Sequence, residues 1–151
     1  MPENQWNRML ADAASEVLET MFFTEVLGPA LGGEAEPEPR RDVRVAFAGT
    51  PSGALTLSVS GPAARTLAGN FLAPEQDDSL PPAQLDGVVC ELANMICGSL
   101  LSRVETECRF RLSIPELAPA NASHAFAPPC QSLDLGEGTI HLWLELDSHA
   151  N

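Results

Sequence analysis

Apolar residues recur at helical spacing over residues 5–27, QWNRMLADAASEVLETMFFTEVL. Leu10, Ala14, Val17, Leu18 and Met21 share one side, and Asp12, Glu16 and Glu19 the other. The spacing predicts a helix ended by Gly28 and Pro29. GGEAEPEPRRD (32–42) reads as a solvated linker. The period then drops to two. In DVRVAFAG, Val43, Val45 and Phe47 alternate with smaller or polar residues; in GALTLSVSG, Leu55, Leu57 and Val59 do the same, with GTPSG as the turn between. Alternation predicts one buried and one exposed face, hence antiparallel strands. GPAARTLAGNFL reads as a short helix with Pro62 in its first turn, and PEQDDSLPP as a loop leading into a helix over 82–104.

Beyond that helix, TECRFRLSI predicts a strand with Cys108, Phe110, Leu112 and Ile114 facing in and Glu107, Arg109 and Arg111 facing out. PELAPANASHAFAPP is too rich in proline and alanine for regular structure and reads as a surface loop. QSLDLGEGTIHLWLEL predicts a hairpin turning at GEG. Ile140, Leu142, Leu144 and Leu146 point in, and Thr139, His141, Trp143 and Glu145 point out. The element order predicts an α+β fold with helices packed on one face of an antiparallel sheet. SEVLETMF at 15–22 aligns with CELANMIC at 90–97, which suggests duplicated helix–strand–strand halves. At 151 residues the expectation is one domain over 1–151.

The helix over 82–104 sorts sharply at about 100° per residue. Leu85, Val88, Val89, Leu92, Met95, Ile96 and Leu100 cover more than half of it, leaving one stripe of Gly87, Glu91, Asn94, Gly98 and Ser102. Two readings are open. Either the stripe is an ordinary solvent side, where the glycines can also serve close helix packing, or the glycines clear side chains away from Glu91 and Asn94 so that another surface comes close.

Charge changes the picture of partners. The formal net charge is −13, and the eight cations are all arginine. So acidic a chain is repelled by nucleic acid and by anionic membrane, and its expected partner is a protein with a basic face or an exposed lysine. Having no lysine excludes a Schiff base, a lysine nucleophile and a P-loop lysine. Cys90, Cys97, Cys108 and Cys130 form no CxxC pair and fit no zinc spacing. Cys90 and Cys97 read as reduced apolar filler on one side of the long helix. His124, His141 and His149 fall in no metal-ligand spacing, and neither a catalytic triad nor a serine nucleophile elbow is visible. The start, MPENQWNRML, lacks the pattern of a secretory signal, and no apolar stretch approaches the length of a bilayer span, so a cytoplasmic protein is expected.

ELANMICG resembles the E-x-x-N helix signature of the CheC/CheX family of chemotaxis phosphatases. ADAASEVLETMFF resembles the first helix of CheX-type domains, and FRLSIP, ending at Pro115, the strand and proline after the second. The resemblance runs over most of the chain in the same element order. It implies a CheX-like phosphatase acting on the aspartyl phosphate of a CheY-type response regulator. Asn94 would orient the attacking water, and Glu91 would bind the regulator's lysine, with Gly87, Gly98, Asp86 and Ser102 around them in the partner-binding surface. The chain would need no cofactor or metal of its own, since the Mg2+ belongs to the regulator's site.

Two departures accompany the resemblance. Gly87 stands where the family usually has Asp or Ser, with Asp86 one place further out, and Pro115 lies slightly closer to the asparagine than usual. In the first helix the motif reads Glu16-Val17-Leu18-Glu19, and an ionised glutamate cannot donate a hydrogen bond, so one site is expected, as in CheX. The competing expectation is a non-catalytic domain of the same fold that binds a response regulator or a flagellar-switch component. The Glu91/Asn94 pair favours the enzyme, and Gly87 the binding domain. A homodimer through the outer face or edge of the sheet is also expected, with Trp143 a candidate contact.

Overall fold

A computed structural model describes residues 3–30, 40–49, 52–72, 81–104, 110–117 and 129–147. In chain order the elements are α1 (Glu3–Met21), β1 (Gly28–Pro29), β2 (Arg41–Ala48), β3 (Gly53–Val59), α2 (Gly61–Leu72), α3 (Pro82–Arg103), β4 (Arg111–Leu112), β5 (Glu116–Leu117), β6 (Gln131–Asp134) and β7 (Thr139–Leu146). Every strand pairing is antiparallel, in the order β1-β6-β7-β3-β2-β4, with β5 also paired to β2. The expected α+β architecture is the observed one. Val43, Val45 and Phe47 of β2, Leu55, Leu57 and Val59 of β3, and Ile140 and Leu142 of β7 meet the apolar sides of all three helices in one contiguous core.

Several elements differ from the sequence expectation, each for a physical reason. α1 stops at Met21, not at residue 27. Phe22 is buried and stacks on Phe71 of α2, with centroids 4.7 Å apart, and Phe23 turns the chain at φ 52°. Thr24 N–H then donates to Leu18 O at 2.8 Å, a left-handed stop of the kind that ends many helices. For a residue with a Cβ that conformation costs on the order of 1–2 kcal/mol. Met21, expected inside, is 45% exposed, while Trp6 and Ala13 are buried. Gly28 and Pro29 do more than end a helix: they form β1 on the edge of β6.

The central strand β3 is buried on both faces. Ala54, Thr56 and Ser58, expected outside, are nearly as inaccessible as Leu55 and Leu57, with Thr56 at 2% exposure. They are short, and their register partners are large: Thr56 lies between Arg44 and Trp143, and Ser58 between Asp42 and His141. Arg40 reaches across the same face, its Nε donating to Ser58 Oγ at 2.8 Å and its Nη1 to Thr139 Oγ1 at 3.0 Å. Trp143 is half-buried there, edge-on to His141.

The single strand expected over 106–114 is two short ones. Ser113 N–H donates to Ala46 O and Ser113 Oγ accepts from Ala46 N–H, but Pro115 has no donor to continue the ladder. Leu112 and Ile114, expected inside, are 37% and 81% exposed, whereas Phe110 meets Phe47 edge-on. Glu107, Cys108 and Arg109, most of the 32–42 linker, His124, His149 and most of the 115–129 loop lie outside the described residues. The β6–β7 hairpin turns as expected, Gly136 and Gly138 supplying φ of 84° and 136°. A side chain at Gly138 would also collide with Ser60 and Ala63 at the start of α2.

α3 corrects the expectation that no segment approaches a membrane span. Over its 22 residues an 18-residue window reaches a mean hydropathy of 1.3, long and apolar enough by length and composition. Half of that window is buried inside the protein, and Leu92, Ile96 and Leu100 lie wholly within the core, as expected of a core helix. Cys97 sits among them, and burial pushes its thiol up to about 12 from an ordinary 9.0. The folded chain therefore keeps a proton that the unfolded chain releases above about pH 9. Its contribution is intact below that pH and is lost as pH rises towards 12. Urea midpoints should fall across pH 9–12, and Cys97→Ala should flatten that fall; an equal fall in the variant would place its cause elsewhere.

Candidate functional site

α3 begins after Pro81, in extended conformation, with Pro82 in its first turn, where a missing N–H costs nothing. Its buried residues, from Leu85 and Val88 through Leu92 and Ala93 to Leu100 and Leu101, leave uncovered the side turned away from the sheet. Gly87, Glu91 and Ser102 on that side are exposed, and Asn94 and Gly98 half-buried, so the expected stripe forms. Neither the Glu91 carboxylate nor the Asn94 carboxamide makes a hydrogen bond or ion pair with another described residue. A methyl group placed on Gly87 or Gly98 would meet no described atom within 4 Å. Among the described residues, then, neither glycine serves packing inside the chain, which removes helix packing as their reason.

Asp86 does not join the stripe. Its Oδ1 accepts from Arg41 Nε at 2.8 Å, which ties the start of α3 to the start of β2. Cys90 is half-buried between the stripe and this pair. Its thiol is raised by burial first, and then by the negative charges of Asp86 and Glu91. That thiol stays protonated at neutral pH and is a poor nucleophile.

α1 lies alongside α3 and runs the opposite way. The start of α3 is held at Arg41, whose register partner Val59 lies opposite Ile140. The chain leaving α1 arrives at that same sheet end, where Leu27 N–H donates to Asp134 O at 2.8 Å and Asp134 lies opposite Thr139. Near its beginning, Asn7 O accepts from Gln131 Nε2, further down the hairpin opposite Leu142. The two helices are bolted by Glu16, whose Oε1 takes Arg103 Nη2 at 2.9 Å and lies 3.4 Å from Ser99 Oγ. Arg103 bonds Ser99 Oγ as well. The first-helix motif residue Glu16 is thus engaged within the chain, while its counterpart Glu91 is not. Arg41, Ser99 and Arg103 were not singled out from the sequence, because only the folded pairing of β2 and α1 with α3 gives them partners.

An exposed carboxylate one turn from a carboxamide, with open backbone on either side, can bind a cation on another surface and hold one water by donating and accepting at once. No group of three or more His, Cys, Asp or Glu among the described residues is arranged to hold a metal ion.

The arrangement of three helices on an antiparallel sheet is shared with solved proteins of the CheC/CheX class. A chain of the CheX–CheY–BeF3–Mg2+ complex from Borrelia burgdorferi superposes with a TM-score of 0.70 at 19% identity, over 95% of this chain and 98% of that one. A CheC-like superfamily protein from Shewanella sp. PV-4 gives 0.69 at 19% identity, over 98% and 100%. The chemotaxis protein CheX from Desulfovibrio desulfuricans gives 0.69 at 17%, over 95% and 99%. No curated protein matches the chain. Residues 42–128, more than half of the chain, match the family model for the chemotaxis phosphatase CheX, and the chain belongs to that family.

Because the space over both glycines is open, Gly87→Ala and Gly98→Ala should each raise folding stability by about 0.5–1 kcal/mol, the ordinary helix cost of glycine. Urea unfolding of the two variants checks this. A loss of stability would mean that the glycines serve the fold itself.

Proposed function

We propose that this chain, as a single domain over 1–151, hydrolyses the aspartyl phosphate of a CheY-type response regulator. The observation that carries the reading is the unengaged Glu91/Asn94 pair, facing outward between two glycines with open space above them. Support comes also from the family, named for phosphatase activity, and from the Borrelia relative, whose crystal contains CheY, BeF3 and Mg2+.

In this reading α3 is laid over the regulator's phosphorylation site, and Gly87 and Gly98 let the helix backbone approach. The Glu91 carboxylate takes the regulator's lysine ammonium, a contact that docks and orients and gains from the acidic charge of the whole chain. Asn94 then stands over the phosphoryl group. Its Oδ1 accepts a hydrogen bond from one water, its Nδ2–H donates to that water's lone pair, and the oxygen is held in line with the bond to be broken; both water protons leave with the phosphate. The new bond is from water oxygen to phosphorus, and the bond lost is from phosphorus to the aspartyl oxygen. Inorganic phosphate leaves, and the regulator recovers its free carboxylate. Phosphoryl transfer is governed by positioning and electrostatics, so one oriented carboxamide is enough to matter. A divalent cation would belong to the regulator's site and supply charge neutralisation of the phosphoryl group there; this chain contributes the water-orienting amide and the lysine-binding carboxylate.

Decay of a phosphorylated CheY-type regulator is the test. The wild-type chain should accelerate it, and Asn94→Ala should lose about a hundredfold, on the order of 3 kcal/mol of transition-state stabilisation. Glu91→Gln should mainly raise the regulator concentration needed for half-maximal rate. Binding without acceleration would leave a non-catalytic binding domain, the reading that Gly87 favours; neither binding nor acceleration by any regulator would refute both.

A further inference from the structure

Phe23 is unaccounted for by the fold. It is the one described non-glycine residue with positive φ, at 52°, and it is 73% exposed. Its neighbours on both sides are firmly held: Phe22 stacks on Phe71, Thr24 N–H bonds Leu18 O, and Thr24 Oγ1 accepts from Asn70 Nδ2 at 3.1 Å. The turn therefore presents an aromatic ring to solvent in a conformation that disfavours it. Met21 and Leu27 lie exposed nearby in sequence, and a shallow cavity of about 340 Å³ is lined by Glu19, Phe23, Thr24 and Glu25.

The register of the two helices says where this ring stands. Glu16 is bonded to Ser99 and Arg103, and α1 and α3 run in opposite directions. α1 ends at Met21, five residues and about 7–8 Å beyond Glu16, and Phe23 stands in the turn just past that end, folded back by the Thr24 N–H bond to Leu18 O. Going back the same five residues from the 99–103 turn reaches 94–98, the turn that carries Asn94. Packed helices keep their axes about 8–10 Å apart. Both helices lie on one face of the sheet, with Glu19 of α1 and Glu91 of α3 exposed on their outward sides.

We propose that Phe23 is a second docking contact for the same response regulator, an aromatic anchor beside the Asn94 turn that enters an apolar hollow on the regulator's surface, with Glu19 and Glu25 meeting basic side chains at its rim. The inference rests on the regulator being the partner of the Glu91/Asn94 stripe. Aromatic side chains, Phe among them, are enriched at interface cores, and a turn whose neighbours are held beforehand loses little backbone freedom on binding. The paired glutamates select a basic rim over an acidic one.

Binding of the BeF3–Mg2+ form of CheY-type regulators to the chain, followed by titration, tests this directly. Phe23→Gly should weaken the affinity about tenfold while its urea midpoint stays level or rises, since glycine adopts this backbone freely. Glu19→Gln with Glu25→Gln should weaken binding less and reduce its dependence on salt. Unchanged affinity in Phe23→Gly, with the wild type binding, would overturn the anchor and leave the phosphatase reading standing. Weakened binding by Phe23→Gly, where the wild type binds but speeds no phosphate loss, would keep the anchor and remove the enzyme. A wild type that binds no regulator would overturn both.

Discussion

A helix that buries one side against a sheet can offer to the outside only what lies opposite, and in α3 that constraint decides almost everything. Leu85, Val89, Leu92, Ile96 and Leu100 take the inward positions, so Gly87, Glu91, Asn94, Gly98 and Ser102 have nowhere to point but away from the core. The rotation of the helix about its axis is thereby fixed by the hydrophobic contacts and not by the polar residues themselves. Two ion pairs set what remains. Arg41–Asp86 holds its start over β2, and Glu16–Arg103 holds its end against α1. Both are partly exposed, and such pairs contribute about 0–1 kcal/mol each, so their service is to orient more than to stabilise.

The same pairs sort the carboxylates by use. Asp86 and Glu16 are drawn into contacts within the chain, while Glu91 is left facing solvent. Since Asp86 and Glu91 are five residues apart on one helix, the difference comes wholly from which side of α3 faces β2. A glutamate that holds an internal arginine must break that bond before it can take another cation; among the described residues Glu91 has no such bond to break.

Much of this was legible in the sequence, and the failures have identifiable causes. Periodicity located β2, β3, α2, α3 and the β6–β7 hairpin, because each is long enough for its apolar positions to repeat. It also resolved the stripe, since one side of α3 is so uniformly apolar. It overran α1, where the apolar run Met21-Phe22-Phe23 continues the helical pattern through a residue that the fold places at positive φ. It misassigned Leu112 and Ile114, whose alternation is real but whose strand is cut short at Ser113 and Pro115. It also missed the burial of Thr56 and Ser58, which depends on the bulk of residues on neighbouring strands and is invisible along a single strand. The roles of Arg41 and Arg103 were hidden for the same reason: an arginine's partner is a matter of three dimensions.

The open space above Gly87 and Gly98 carries a consequence for how such a protein changes over generations. The inward half of α3 answers only to the core, and the outward half only to whatever meets it, so the two halves are separate texts written on one helix. Inward letters can drift among leucine, isoleucine and valine while the outward ones stand, and the outward ones can be rewritten with no loss of the fold. The solved structures named above share this architecture with the chain at under 20% identity. Ancestry is then inherited through one side of the helix and trade through the other.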